Sequence, residues 1–172
     1  MISQSEQHIL PQFLDALASQ KAYCDQPLLL PTIASELLLT FVQDRLKALV
    51  SKIKDLEQLV GQKEYRGRPR RNPLDIDFLA TTRAFNYVSK KVGIDLMKIT
   101  CLLSILEKMR EFKKATDSGN PREPRAKLDI VGSRIMEDKS QYIMDTCTAL
   151  VTVCQYHEKR IATLIQVVGF SR

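Results

Sequence analysis

Between Leu39 and Val60, seven apolar residues recur at alternating steps of three and four: Leu39, Val42, Leu46, Leu49, Ile53, Leu56 and Val60. An α-helix brings such positions to one side of a chain, whereas a strand needs an apolar residue at every second position. The spacing is that of a heptad seam, in which each apolar side chain fits between side chains of a facing helix. It predicts a helix over about 32–60, capped by Thr32 at its start and ended by Gly61. At about 1.5 Å per residue that helix would be roughly 43 Å long. A seam of this kind serves a long helix in the chain's own bundle, or it binds a partner helix or a second copy.

The same periodicity runs through most of the remaining chain. Pro11, Phe13, Leu14 and Leu17 predict a helix over about 11–23, followed by a break from Gln26-Pro27 to Pro31. Phe78, Leu79, Phe85, Val88 and Val92 predict a helix over about 74–91, and Gly93 is expected to interrupt it. Leu96, Ile99, Leu102, Leu103, Leu106 and Met109 predict another over about 95–114. Residues 128–168 read as one long helical pattern, carried by Val131, Ile135, Tyr142, Cys147, Leu150, Val153, Cys154, Ile161, Leu164 and Val168. Six glycines and seven prolines in 172 residues leave few breaks. The expected fold is all-α, a single domain over 1–172 with about five helices in a bundle. Loops are expected at 61–73 and 115–127.

Charge sets two regions apart, 63–71 and 108–127, the second taking in the end of the helix expected over 95–114 as well as the second loop. The chain is net +6, with 26 Lys and Arg against 20 Asp and Glu. Lys63, Arg66, Arg68, Arg70 and Arg71 against Glu64 make residues 63–71 net +4. Residues 108–127 are also net +4, so the rest of the chain is net −2. Positive charge confined to short segments raises the local field, which is what binding a polyanion requires. Arg122, Arg125 and Lys127 in the second loop are candidate phosphate contacts, although Glu111, Asp117 and Glu123 dilute that segment.

Residues 65–73 read Tyr65-Arg66-Gly67-Arg68-Pro69-Arg70-Arg71-Asn72-Pro73. A Gly-Arg-Pro core between arginines resembles an AT-hook, a short motif that binds the minor groove of DNA. Gly67 lets the backbone lie close to a groove floor, and Pro69 holds it extended. Arg66, Arg68, Arg70 and Arg71 then reach phosphates or enter a narrow electronegative groove. A second resemblance lies at 88–102. Ser89, Val92, Gly93, Ile94, Ile99 and Leu102 match the small and apolar positions of a helix-turn-helix. The helix that would read bases begins Asp95-Leu96-Met97, an acidic and apolar start that departs from the usual polar one. The alternative there is an ordinary helical hairpin with Gly93 as its cap.

Little points to catalysis. His8 and His157 are the only histidines, and neither a phosphate-binding glycine loop nor a nucleophile elbow is present. Cys147, Cys154 and His157 fall near one helix face, but cysteines at heptad spacing on an apolar stripe read as core. Neither a metal nor a cofactor is expected. Cys24, Cys101, Cys147 and Cys154 have no Cys-x-x-Cys pairing and are expected to be free and mostly buried. No apolar run approaches the roughly 20 residues of a membrane span, and the first residues do not resemble a signal peptide. The expectation is a non-enzymatic, intracellular nucleic-acid-binding protein, cytoplasmic or nuclear. It would be a regulator, an architectural protein or a basic subunit of a larger complex, with DNA or RNA as ligand. The alternative is a helical scaffold that uses the Leu39–Val60 seam.

Overall fold

A computed structural model describes the backbone of residues 9–62, 76–118 and 127–170, and the side chains of 9–62, 76–115 and 131–168. The described residues are all helical apart from turns. In chain order they form α1 (Ile9–Ser19), a single 3-10 turn (Lys21–Tyr23), α2 (Leu29–Leu59), α3 (Phe78–Ser118) and α4 (Lys127–Phe170). The all-α expectation holds. The expected count of five helices does not, because the two helices foreseen on either side of Gly93 are one helix of 41 residues.

Gly93 shows why. A Cβ there would come within 3.3 Å of the Glu158 carboxylate on α4. Only the end of that side chain lies near the glycine, and α3 continues through it. An interior glycine weakens a helix by about 1 kcal/mol relative to alanine, a local penalty that packing along a long helix outweighs. The helix-turn-helix resemblance at 88–102 therefore fails, since the stretch has no turn. Gly61, by contrast, ends α2 as expected. It lies in the left-handed region at φ 72°. Its N–H donates to the Gln58 carbonyl at 3.2 Å, and the Gln62 N–H reaches the Glu57 carbonyl at 3.0 Å. That pair of bonds is a Schellman closure, which side chains with a Cβ adopt only under strain.

Other boundaries moved for local reasons. The chain tightens after Ser19, where the N–H groups of Gln20, Tyr23 and Cys24 bond three residues back. Pro31 does not precede α2 but sits in its first turn, where a missing N–H removes no helical bond. Thr32 is consequently not a cap. Its N–H already bonds the Leu28 carbonyl at 3.0 Å. Its hydroxyl is buried with no partner among the described residues. Asp77, not a residue near 74, starts α3. It accepts a hydrogen bond from the Ala80 N–H at 2.9 Å on its side chain, the usual N-cap geometry.

The chain packs as two compact units. One comprises residues 1–41 and 100–148, the other 42–99 and 149–172. In the first unit Leu28, Leu29, Ile33 and Met136 form a buried cluster, with Phe13, Leu17, Tyr23, Leu37, Met109 and Ile135 packed against it. Ionic contacts surround it. Lys113 pairs with Glu137 and donates to the Ser133 hydroxyl at 2.6 Å, while Lys139 reaches Glu36 and Gln20, each at 3.3 Å.

The second unit is a three-helix core. Val42, Leu46, Leu49 and Ile53 of α2 are buried, with Phe85, Val88, Val92 and Ile99 of α3 and Cys154, Ile161, Leu164 and Val168 of α4. Each set steps by three, four or seven, and the buried Asp95 and His157 fill the steps of seven on α3 and α4. Fully burying a side chain of this size contributes roughly 1.5–3 kcal/mol against exposure. Contacts between Arg45 and Asp95 and between Lys52 and Tyr87 show that α2 and α3 run antiparallel. Some predicted inward residues face out: Leu79, Val131, Tyr142 and Val153 are exposed.

Candidate nucleic-acid interface

The arginine-rich loop is framed by the two caps of the second unit. Gly61 closes α2 before it, and Asp77 opens α3 after it. Arg66, Gly67, Arg68, Pro69, Arg70 and Arg71 lie outside the described residues, as do Arg122 and Arg125. Lys127 is the first residue of α4. The structure therefore brings none of these contacts together in view; it locates the helix ends from which the first loop leaves.

The heptad seam is resolved completely, and it does not stand free. Leu39, Val42, Leu46, Leu49 and Ile53 are buried within the chain, and Leu56 and Val60 are half-buried. Side chains that fill the protein's own core cannot also receive a partner helix. Of the two readings of the seam, the burial of these residues agrees with a long helix in the chain's own bundle.

The second unit also buries charge, which sequence reasoning missed. Asp95 occupies a core position on α3 and is fully buried. Arg45 on α2 holds it at two points: Nε donates to Oδ2 at 3.1 Å, and a terminal nitrogen pairs with Oδ1. Glu57 on α2 is gripped in the same way by Nε and a terminal nitrogen of Arg160 on α4. Two-point guanidinium–carboxylate contacts fix geometry as well as charge. The signal for Asp95 was available, because the α3 steps 92, 95 and 99 place it on the apolar stripe.

His157 lies one turn of α4 before Arg160 and is buried, with its Nδ1 unpartnered among the described residues. Burial, then the positive charges of Arg160 and Lys54, hold its pKa below the ordinary histidine value, and Glu57 opposes them. Burial, then the Asp95 and Glu158 carboxylates, push the Cys154 thiol up to about 11. Burial alone raises Cys147 to about 11. Both thiols stay protonated and unreactive near neutral pH. All four cysteines are free as expected, but Cys24 and Cys101 are exposed, so only half of them are buried. Among the described residues, no group of three or more His, Cys, Asp or Glu side chains is placed to hold a metal ion. No described helix is long and apolar enough to cross a membrane.

Among the described residues the protein is all-helical, and two buried carboxylates, Asp95 and Glu57, are each held by an arginine of another helix. Comparison with protein-family models, with curated proteins and with solved structures found no match.

Proposed function

We propose that this chain is a non-catalytic helical protein that binds nucleic acid through the loop between α2 and α3. Arg66, Arg68, Arg70 and Arg71 are its main contacts, and Gly67 and Pro69 set the backbone. Arg122, Arg125 and Lys127 supply secondary phosphate contacts. The observation that carries the reading is the density of four arginines in six residues, in a chain whose charge outside the two basic regions is nearly balanced. Concentrated guanidinium groups bind phosphate and narrow grooves through charge and planar geometry. The helix caps at Gly61 and Asp77 support it, since α2 ends before the arginines and α3 begins after them. Such a ligand fits a cytoplasmic or nuclear protein, acting alone or as a subunit of a larger complex.

The test is a binding titration of the full chain against AT-rich duplex, GC-rich duplex and single-stranded RNA at two salt concentrations. Each neutralised phosphate adds about 0.9 to the salt slope on duplex DNA. Replacing Arg66, Arg68, Arg70 and Arg71 by Ala should flatten that slope by roughly three to four units and leave helicity unchanged. Unchanged affinity and slope in that variant would reduce the loop to a solvated connector.

A further inference from the structure

Tyr87 projects from α3 of the second unit and is 52% exposed. Two ammonium groups lie against its ring. Lys52 Nζ, from α2, is 5.4 Å from the ring centroid, and Lys91 Nζ, one turn along α3, is 5.5 Å from it. No described carboxylate pairs with either lysine. Arg83 stands one turn before Tyr87, also exposed and without a described carboxylate partner. Arg83, Tyr87 and Lys91 thus form a stripe at steps of four along one side of α3, and Lys52 joins it from the neighbouring helix. Arg45 and Arg160 in the same unit are, by contrast, tied to buried carboxylates.

We infer that Lys52, Tyr87 and Lys91, with Arg83 at the edge, form a subsite for an unpaired nucleotide of a single-stranded nucleic acid. The inference rests on the nucleic-acid reading of the adjoining loop. A base that stacks on the ring takes the place of an ammonium now lying over it, and the flexible lysines turn to the phosphates on either side of that base. Duplex DNA keeps its bases stacked on one another and presents only their edges and its backbone. The ring therefore selects single strands, where the lysines alone would not. Position supports the assignment. Tyr87 lies nine residues into α3 and Lys52 seven residues before the end of α2, about 10–14 Å of helix from the ends that the arginine loop joins.

The experiment is fluorescence anisotropy with labelled oligo(dT) and a duplex of the same length, each at two salt concentrations. The proteins are the full chain, Tyr87→Ala, Tyr87→Phe, the double variant Lys52→Ala/Lys91→Ala, and the fourfold arginine-to-alanine loop variant. Tyr87→Ala should weaken oligo(dT) binding about tenfold while duplex binding changes less than twofold. Tyr87→Phe, which keeps the ring, should bind as the parent does. The double lysine variant should flatten the oligo(dT) salt slope by about 1.4 units. The loop variant should lose affinity for both ligands. If Tyr87→Ala and the lysine variant bind oligo(dT) like the parent while the loop variant does not, the subsite is wrong and the loop reading stands. Equal losses on oligo(dT) and duplex for Tyr87→Ala also overturn the subsite. If the loop variant binds both ligands like the parent, the loop reading fails independently of the subsite. Circular dichroism of each variant excludes unfolding as the cause of any loss.

Discussion

Arg160 on α4 grips the carboxylate of Glu57 on α2 through two of its nitrogens, and Glu57 is buried almost completely. The contact ties two helices of the second unit at a fixed register. Removing one partner leaves the other charge stranded in a site with little water. Glu57→Gln should therefore lower stability by about 3–5 kcal/mol. Urea denaturation should show a lower midpoint with an unchanged slope. The double variant Glu57→Leu/Arg160→Met should recover most of the loss, because it strands no charge. A double variant as unstable as the single one would mean that the pair contributes more than mutual compensation.

His157 makes the second unit sensitive to mild acid. Its folded pKa is depressed, first by burial and then by Arg160 and Lys54. The unfolded chain therefore takes up the proton first as pH falls. The stabilisation is fully present above the unfolded value of about 6.5 and is lost as pH falls from there through the folded value. Melting temperature should decline over that interval. His157→Leu, which cannot titrate, should remove that part of the decline. An unchanged pH profile in His157→Leu would assign the acid sensitivity to other groups.

The four thiols should separate into two classes. Cys24 and Cys101 are exposed, whereas Cys147 and Cys154 are buried with pKa values raised to about 11. Iodoacetamide at pH 8 should modify two cysteines quickly and the other two only after denaturant is added. Peptide mass mapping identifies which react, and rapid labelling of Cys154 in the native protein contradicts its placement.

Two helical glycines should respond in opposite directions to alanine. At Gly93 the added methyl meets only the end of the Glu158 side chain, at 3.3 Å. That flexible carboxylate can turn aside, so Gly93→Ala should stabilise by about 0.5–1 kcal/mol through helix propensity. At Gly132 the methyl meets the Tyr23 ring at 3.2 Å and the buried Gln26 amide at 3.2 Å and 3.4 Å. One contact is a ring packed against the first unit's core and the other a buried amide, so Gly132→Ala should destabilise by about 1–3 kcal/mol. Thermal melts of the two variants settle both signs.

Helicity and the buried stripe of α2 were legible in the sequence because both arise from local repetition. Steps of three and four from Leu39 to Ile53 define one side of a helix whatever lies across from it. Gly61 was legible for the same reason, as its left-handed backbone is a local requirement. The arginine density at 66–71 is likewise a property of adjacent residues. Periodicity shows that a face exists, but it does not choose among competing faces. α3 carries apolar side chains on more than one side, and only packing decided that Phe85 and Val92 go in while Leu79 and Met97 stay out. Gly93 read as a break because its local propensity is poor, and the approach of Glu158 from a distant part of the chain reversed that reading. The Arg45–Asp95 and Glu57–Arg160 pairs, and the contact of Lys52 with Tyr87, join residues on different helices. Contacts of that kind depend on distances through space, which tertiary packing sets and a linear pattern does not contain.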